Sequence, residues 1–480
     1  MTYRKIQAGR LPLAFLTAFS LAVISHTAAA DTRYVDGSGG GCGGNSPCTT
    51  TVQAAVDAAT IPADIRIFPG NYSESLDLGT MNGSSPGTIS FQALNAGGSP
   101  AVGTVTLSSP DAGAAMGMGT TLVGTLSVYG INFVSPSAAG LLMSVQGNVN
   151  LADLVANNTG ESGIDIDFIG NGASLTATRL TANNNADRGL NFEIDPEVDG
   201  NQHTFTLMDS TANNNSSTGI FIGRDEQVQT TMQVNPTLHS INANGNGGDG
   251  IRLRAANGTA TLTDITANGN ESDGLDLEDA SIVVISDSTF QDNDTEAEGD
   301  SGIEVDAYSS LSITNVVASG HSSGKGIEID GWTTSGGDPD EDQILGDVTI
   351  SEVDVSNNGI GIRIDGNIAN GDINIEITNF VGNTTAGLMI YDDADPTMVV
   401  NAIGNFWGAR SGPTHPTNNP AGTGDAVADA TNVIDDSVGT INFAPFSATR
   451  VSLSVPVPTV PAPLLLVLIG LLGFAVRRSR

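Results

Sequence analysis

The sequence is 480 residues long and contains 59 glycines, with 53 acidic residues against 17 basic ones and a formal net charge of -36 at pH 7. So acidic a surface repels nucleic acid, which excludes that class of partner. Apolar residues make up 39% of the chain and the mean hydropathy is +0.01, which argues against disorder and allows a long buried core.

Residues 1–30 have the three parts of a secretory signal peptide. A positively charged start at 4–10 precedes an apolar run at 11–24, and Ala28–Ala30 offers a cleavage site of small residues. A transmembrane anchor is the alternative, but the apolar run is short for one. We therefore expect an exported protein.

Residues 31–49 form a glycine-rich loop that contains both cysteines of the chain, Cys42 and Cys48. In an exported protein, an even pair this close together predicts a small disulfide loop. A metal site is the alternative, but it needs more ligands than two thiols, and no histidine is nearby.

Residues 50–59 are the one convincing short helix. Val52, Ala55, Val56 and Ala59 recur at helical spacing and so share one face. The stretch that follows, up to residue 150, contains short strands separated by Gly and Pro, which we interpret as the first turns of a repeating structure.

One phrase recurs from there on: a glycine, Ile or Leu, any residue, and another apolar residue. The alternation of apolar and other residues predicts a strand with one buried face. The phrase returns every 24 to 35 residues without a helical pattern in between, which is typical of a coil stacked on itself. The glycines that open it are Gly163, Gly189, Gly219, Gly250, Gly274, Gly302, Gly326, Gly361 and Gly387.

Asparagine-rich segments precede most of these glycines, for example LTDITANGN at 262–270 and LMDSTANNN at 207–215. Each reads as two further short strands that meet at a bend. Asn and Asp tolerate left-handed backbone, so they suit a bend repeated in every turn, and stacked Asn side chains can bond one another between turns. The pattern predicts three strands and three bends per turn.

This pattern resembles the pectin-lyase-like superfamily of right-handed parallel β-helices, especially its Asn-rich repeat type, over residues 50–446. The resemblance implies an all-β, single-domain solenoid with a short N-terminal helix that caps the open end of the core. Such a cap has a physical reason, since an uncovered end exposes unpaired strand groups.

Residues 401–446 differ in character and resemble the closing segment of exported bacterial β-helix proteins, with NFWG followed by GTGDAV. We expect Trp407 and Phe406 to close the C-terminal end of the core. The alternative is that Trp407 is a platform on which a sugar stacks.

Residues 447–480 combine a Pro-rich linker, a short hydrophobic run at Leu464–Val476 and a final arginine cluster. This order resembles the PEP-CTERM class of bacterial sorting signals, with Val-Pro-Thr-Val-Pro in place of Pro-Glu-Pro. The resemblance implies recognition by an exosortase-type membrane enzyme and display at, or release from, the cell envelope. A plain C-terminal transmembrane helix is the alternative.

Three consecutive turns, beginning at Gly274, Gly302 and Gly326, carry acids at both outward strand positions. Stacked strands place these carboxylates about 5 Å apart, where like charges are destabilising. Salt, raised pKa values or a bound cation must offset the repulsion, and oxygen-rich clusters of this kind suit Ca²⁺; a solvated acidic face is the alternative. We call this set the acidic block, and it comprises Asp276, Glu278, Glu304, Asp306, Glu328 and Asp330.

In polysaccharide lyases of the superfamily, acids on the outer face of one sheet hold Ca²⁺ while an Arg or Lys abstracts a proton. The resemblance therefore implies Arg252, Arg254 and Arg363, which flank the acidic block, as candidate catalytic residues. Lys325 is a weaker candidate base, because we expect it in a turn.

Two functions follow. The first is an exported cell-surface or extracellular β-helix protein with a structural or binding role, whose acidic, Ca²⁺-binding face contacts polysaccharide or matrix. The alternative is a Ca²⁺-dependent lyase or epimerase that acts on an acidic polysaccharide. A lyase needs a cleft over the acidic block, and the loops at 292–300 and 332–347 are candidates for its walls.

Overall fold

A computed structural model describes residues 30–453, except for 82–86, 171, 196–201, 225–232, 256, 331–342, 345, 366, 369–371, 392–393, 395 and 435–436. The predicted signal peptide, apart from its last residue, and the predicted sorting tail from residue 454 onward lie outside these residues. No helix in the described part of the chain is long and apolar enough to cross a membrane.

The described part of the chain is almost entirely β-structure, with one α-helix, α1 (Val52–Ala58), and two short 3-10 turns, Gly41–Gly44 and Leu78–Thr80. The strands up to the middle of the chain are β1 (Asp31–Val35), β2 (Cys48–Thr49), β3 (Ala63–Ile67), β4 (Gly70–Ser73), β5 (Leu76–Asp77), β6 (Gly87–Ala93), β7 (Val105–Ser108), β8 (Met116–Gly117), β9 (Leu122–Tyr129), β10 (Ile131–Val134), β11 (Leu141–Ala156), β12 (Ile164–Phe168), β13 (Ser174–Thr181), β14 (Leu190–Ile194), β15 (Gln202–Thr211), β16 (Ile220–Gly223) and β17 (Gln233–Asn242). The remaining strands are β18 (Ile251–Arg254), β19 (Thr259–Thr266), β20 (Leu275–Gln291), β21 (Ser301–Ser319), β22 (Lys325–Asp330), β23 (Gln343–Ile344), β24 (Val348–Ser356), β25 (Ile360–Ile364), β26 (Asn367–Ile368), β27 (Ile373–Glu376), β28 (Asn379–Val381), β29 (Ala386–Ile390), β30 (Val399–Asn401), β31 (Pro413–Thr414), β32 (Gly424–Ala428) and β33 (Thr440–Asn442).

The strands stack in parallel as the chain coils, and each turn contributes to three sheets. Sheet A contains the Gly-Ile strands and runs from β5 and β8 through the start of β11, β12, β14, β16, β18 and the starts of β20 and β21 to β22, β25, β29 and β32. Sheet B contains β1, β3, β6, β9, β13, β15, β17, β19, the middles of β11, β20 and β21, and then β24, β27, β30 and β33. Sheet C begins with β4, β7 and β10 and continues through the ends of β11 to β24 to β28. The predicted single-domain right-handed parallel β-helix is therefore confirmed.

The inward residues of the three sheets form one continuous core. In sheet A the two apolar residues of each Gly-Ile phrase are buried, as with Ile251 and Leu253, or Leu275 and Leu277, none of which is exposed. Parallel stacking places each aliphatic side chain over its counterpart in the next turn, and burial of one such side chain contributes about 1.5–3 kcal/mol. The period-2 pattern thus predicted the core face correctly.

The N-terminal end of this core is closed by α1. The helix buries Val52, Ala55 and Val56, and its free N–H groups at Val52 and Gln53 donate to the Glu74 carboxylate at 2.8 and 2.9 Å. These bonds satisfy groups that a helix start leaves unpaired and place a negative charge at its positive end. The cysteines of the preceding loop are joined, with Cα atoms 5.9 Å apart, as the sequence predicted.

At the C-terminal end, Trp407 is completely buried. Its ring stacks on Phe380 with centroids 4.3 Å apart and meets Phe443 edge-on. A side chain without exposed surface offers no platform to a sugar, so the closing role is the one that Trp407 fills. Phe406 departs from the prediction: its side chain is partly exposed, and it contributes its backbone instead, bridged to Asn379.

Two bends per turn have left-handed backbone, at equivalent positions in successive turns. The first is an outward corner between sheets B and C, and its residues are Asp153, Arg179, Asp209, Ser240, Asp264, Asp287, Asn315, Glu352 and Ile377. The second follows sheet C, and its residues are Asn158, Asn184, Asn214, Gly245, Gly269, Asp292, Gly320, Asn357 and Gly382. Asn, Asp and Gly dominate because they tolerate this conformation best.

A ladder of buried amides runs along the second bend. The Oδ1 atom of Asn270 accepts hydrogen bonds from the backbone N–H of Asn246 (2.9 Å) and from its Nδ2 (3.0 Å). Asn270 donates in turn to Asn293 and to the carbonyl of Ala243. We call this the Asn ladder, and its members are Thr159, Asn185, Asn215, Asn246, Asn270, Asn293, His321, Asn358, Asn383 and Asp425.

The Asn ladder also explains the repeated glycine. A Cβ atom at Gly250 would lie 2.6 Å from Nδ2 of Asn270, and one at Gly274 would lie 2.6 Å from Nδ2 of Asn293. Such contacts are too short for any side chain, so the position that opens each Gly-Ile phrase from Gly163 to Gly361 has room only for hydrogen. The repeated glycine is therefore explained by the Asn side chain of the next turn, which packs against it.

His321 is the one histidine in the ladder. Its backbone N–H and Nδ1 both contact Oδ1 of Asn358, at 3.0 and 2.9 Å, and its Nε2 faces Nδ2 of Asn293 at 3.3 Å. This network assigns the proton to Nδ1, so that Nε2 accepts from Asn293. Burial lowers the pKa of His321, which keeps the ring neutral.

We predict that His321→Asn reduces the loss of stability in mild acid. Because the unfolded chain protonates His321 near its ordinary pKa of 6.5 while the folded chain resists protonation, stability is full above that pH and falls below it. Chemical unfolding between pH 5 and 8 measures this. An unchanged pH dependence in His321→Asn would contradict the assignment; the surface histidine variant His239→Asn is the control.

Candidate functional site: the acidic face of sheet A

The outward residues of sheet A form the columns that the sequence predicted. Register pairs Arg252 with Asp276, Asp276 with Glu304, Glu304 with Glu328, and Glu328 with Arg363. The next outward column pairs Arg254 with Glu278 and Asp306 with Asp330. The side chain of Asp306 lies outside the described part, so only its backbone position is known. The acidic block is therefore a contiguous patch with basic residues at both ends.

The basic residues do not merely flank the block but bind it. Arg252 reaches Asp276 at 3.0 Å and Glu278 at 2.6 Å, and Arg254 reaches Glu278 at 3.0 Å. Burial alone would raise the pKa of Glu278, but the hydrogen bond from Arg252 and the charges of both arginines outweigh burial and lower it.

At the other end of the block, Glu328 is the shared partner. Its carboxylate lies 2.9 Å from Nζ of Lys325 and 3.5 Å from Nη1 of Arg363, and it accepts a 2.9 Å bond from the Ser301 hydroxyl. Lys325 opens strand β22 and is not in a turn, which corrects the sequence prediction. Since its ammonium is held by Glu328 and by the Gly299 carbonyl, Lys325 is poorly placed to act as a base.

Glu304, at the centre, differs from its neighbours. No described residue donates a hydrogen bond to its carboxylate or pairs with it. Burial, followed by the charge of Glu328, raises its pKa to about 7. Glu304 is thus a half-buried carboxyl group that is part protonated at neutral pH, with its oxygens free to accept from a ligand.

Two further acids belong to this site and were missed from the sequence. Asp249 and Asp273 precede the glycines of their turns and are only 6% exposed. Burial, and then Glu304 and Asp249, raise the pKa of Asp273 well above its usual value. Burial, and then Glu278 and Asp249, do the same for Asp276. The period-2 alternation of the strands does not extend to Asp249 and Asp273, because the chain bends at the glycine that follows each of them. An acidic residue directly before that glycine is the feature of the sequence that could have identified them.

The described carboxylates of the acidic block do not fit a calcium ion in this arrangement. Ca²⁺ requires six to eight oxygen ligands, yet the carboxylates of Asp276, Glu278 and Glu328 are directed at Arg252, Arg254, Lys325 and Arg363. Within the described ranges, no group of three or more His, Cys, Asp or Glu residues has the geometry of a metal site. Among the described residues, raised pKa values and internal ion pairs offset part of the repulsion.

The three candidate catalytic arginines are likewise engaged. Burial would lower the pKa of Arg252, but Asp276 and Glu278 outweigh it and raise that pKa above its usual value, which is the wrong direction for a base. Arg254 pairs with Glu278, and Arg363 pairs with Glu328 and lies over the Tyr391 ring at 3.9 Å. These arginines are arranged to hold carboxylates in place.

The face changes composition outside the charged turns. Phe221, one turn before Arg252, is fully buried although its position points outward, and the Arg188 guanidinium covers its ring at 4.3 Å. Met389, one turn after Arg363, is also buried. The polar site is therefore bounded along the axis by covered apolar side chains.

Of the predicted walls, the 292–300 loop is tied to the coil: Asp294 accepts from the Ser323 hydroxyl at 2.6 Å and from the N–H of Gly299. In the second loop, β23 pairs with β26 as a separate two-stranded sheet. Residues 332–342 lie outside the described part, so a cleft over the block stays a prediction.

Comparison with protein families supports the fold over part of the chain. The family described as right handed beta helix region matches residues 197–337, and no curated protein matches the sequence. Among solved structures, pectate lyase Pel9A is 16% identical with a TM-score of 0.29, over 85% of this chain and 80% of that one. Alginate lyase from Paenibacillus sp. str. FPU-7 is 13% identical with a TM-score of 0.26, over 78% and 95%. Likeness at this level says nothing about substrate or catalytic residues.

We predict that Glu304→Gln stabilises the protein at neutral and higher pH. A carboxyl group whose pKa is raised on folding binds a proton more tightly in the folded chain, so stability falls as pH rises from about 4.5 to about 7. The variant removes this contribution, and its melting temperature should decline less across that range. Exposed Glu296→Gln is the matched control; an equal effect from it would contradict the argument.

Proposed function

We propose that this chain is an exported bacterial β-helix protein with a binding role, and that the acidic face of sheet A is where it contacts a glycan. The observation that carries the proposal is Glu304: a carboxylate without a described partner, held beside Asp276, Glu278 and Glu328, which pair with basic residues of the same sheet. Groups with pKa values shifted by burial and like charges are typical of functional sites, because such an arrangement is unfavourable for stability alone.

The chemistry of the face favours a neutral, hydroxyl-rich glycan. Carboxylates are pure acceptors when ionised, and Glu304 offers both oxygens to sugar hydroxyls. The described acids of the site outnumber its four cations, and the whole chain carries a net charge of -36, so a polyuronate would be repelled unless cations screened it. The Arg363 guanidinium lies over the Tyr391 ring, and together they form a flat, partly apolar edge of the site.

The proposal includes export and attachment to the cell envelope. The Cys42–Cys48 bond supports export, because disulfides persist in oxidising compartments. The C-terminal resemblance to a PEP-CTERM signal adds an exosortase-type enzyme as a processing partner. Localisation at the cell envelope or outside the cell, and contact with extracellular matrix, follow from this reading.

The second candidate function is lysis or epimerisation of an acidic polysaccharide. One observation favours it: a pKa of about 7 suits Glu304 to proton transfer near neutral pH. The arginine base and the calcium ion of the sequence-based hypothesis have less support, because the arginines are paired and the carboxylates are directed at them. If the protein is such a lyase or epimerase, Glu304 is the base that removes the proton from the carbon beside the uronate carboxyl group.

The test is calorimetric titration of the full-length protein with soluble neutral polysaccharides and with polyuronates, each with Ca²⁺ and with chelator. We expect binding of a neutral glycan that does not depend on Ca²⁺. Glu304→Ala should weaken it about tenfold or more, since a hydrogen bond to a charged group contributes about 1.5–3 kcal/mol. Glu296→Ala, an exposed acid outside the face, should bind as the wild type does.

Four results would count against the proposal. Binding of no neutral glycan, or equal binding by Glu304→Ala and the wild type, would remove the acidic face as the site. New ultraviolet absorbance from a polyuronate, lost in Glu304→Ala, would establish the lyase alternative. A melting temperature raised by Ca²⁺ in the wild type, but not in Glu304→Ala, would show that the acidic face binds Ca²⁺.

A further inference from the structure

Sheet B presents a second outward surface, and its composition is the opposite of sheet A. Across nine neighbouring strands of sheet B, from β9 to β24, two columns of residues on the outward side stay in register, and of these Ser127 and Ala152, near one end, are buried. One column is Ser127, Asn150, Thr176, Thr206, Thr237, Thr261, Val284, Ser312 and Thr349. The other is Tyr129, Ala152, Thr178, Met208, His239, Thr263, Ser286, Thr314 and Ser351. We call these two columns the hydroxyl face.

No Asp, Glu, Lys or Arg interrupts the hydroxyl face, although the chain has 70 such residues. The charges sit at its edge instead, on the left-handed corner, where Arg179 pairs with Asp153 at 2.6 Å. Chance does not readily produce two uncharged columns over nine turns in so acidic a protein. An uncharged surface complements an uncharged partner.

The hydroxyl face is also periodic in two directions. Neighbouring turns are about 4.8 Å apart along the axis, and alternate residues of one strand are about 6.6 Å apart across it. Threonine recurs on this grid in four successive turns, at Thr176, Thr206, Thr237 and Thr261. No described residue forms a hydrogen bond with these four hydroxyls, so all four are directed to solvent.

We propose that the hydroxyl face binds the ordered water of an ice surface. A prism face of hexagonal ice also presents oxygen atoms on a two-dimensional grid, so a row of hydroxyls can replace a row of lattice oxygens. Threonine suits this role because its β-branched side chain is stiff and places a methyl group beside the hydroxyl. Because the register is unbroken, many weak contacts form at once without further ordering of the protein.

A crystalline neutral polysaccharide is the other periodic, hydroxyl-bearing partner. Sugar rings are usually held by stacking on exposed aromatic rings. In the two columns the only aromatic residue besides His239 is Tyr129, at one end. The composition therefore favours ice. This inference does not depend on the glycan site proposed for sheet A, which lies on another sheet.

The experiment measures the growth of single ice crystals in the full-length protein, as the gap between melting and freezing temperatures and as crystal shape. We expect a gap and faceted crystals for the wild type. The double variant Thr206→Lys with Thr261→Lys places two charged chains on the hydroxyl face and should abolish both effects. The matched control is Thr211→Lys with Thr266→Lys, on the same strands β15 and β19 but outward from sheet C.

Thermal melting of both double variants establishes that each is folded, and Glu304→Ala should shape ice as the wild type does. Spherical crystals without a temperature gap in the wild type would overturn the proposal. Equal loss in the sheet C control would also overturn it. Co-sedimentation with cellulose or chitin by a wild type that leaves ice unshaped would replace ice with a solid glycan as the partner.

Discussion

The structure depends on a single repeated contact, in which a buried Asn amide of one turn lies against a glycine of the preceding one. Nδ2 of Asn270 would be 2.6 Å from a Cβ at Gly250, and Oδ1 of the same side chain satisfies two donors of Asn246. The amide thus joins three turns through bonds that water cannot reach. Because buried polar groups are costly when unpaired, any shift of one turn against the next is strongly disfavoured. At the C-terminal end the Asp425 carboxylate accepts from Gly382 and Asn383 and ends the series without an orphan donor.

Fixed register has consequences on the outside of the coil. Equivalent residues of successive turns are held about 4.8 Å apart, so a small bias in composition becomes a continuous stripe. On sheet A the bias is acidic: burial, and then the charge of stacked Glu328, raises the pKa of Glu304 to about 7, while Arg252 and Arg363 hold its neighbours. On sheet B the bias is toward Thr and Ser, and stacking yields an uncharged grid. Both proposed surfaces follow from the same ladder, and neither would exist on a sheet free to slip.

Much of this follows from the sequence. The Gly-Ile phrase predicted the inward residues and the outward columns, and the Asn-rich segments predicted both the left-handed bends and the stacked amides. The contents of the site were harder to predict. Asp249 and Asp273 escape a period-2 reading because the strand bends beside them, and outward-facing Phe221 is buried because Arg188 covers it. Whether an arginine pairs with an acid one turn away or remains free depends on side-chain packing, which spacing does not encode. That is why the ion pairs of Arg252 and Arg363 could not be predicted from the spacing, and why a calcium ion at this face stays a prediction.

The most direct test of the ladder is the change in unfolding free energy on Asn270→Ala, compared with Asn242→Ala. Asn242 lies in the adjacent turn but is exposed on sheet C. Asn270→Ala leaves buried donors of Asn246 without an acceptor, so we expect a loss of about 3 kcal/mol or more in denaturant unfolding. Asn242→Ala should change the free energy by less than about 0.5 kcal/mol, as surface substitutions do. Equal and small effects of the two substitutions would contradict the claim that the buried amides hold the turns in register.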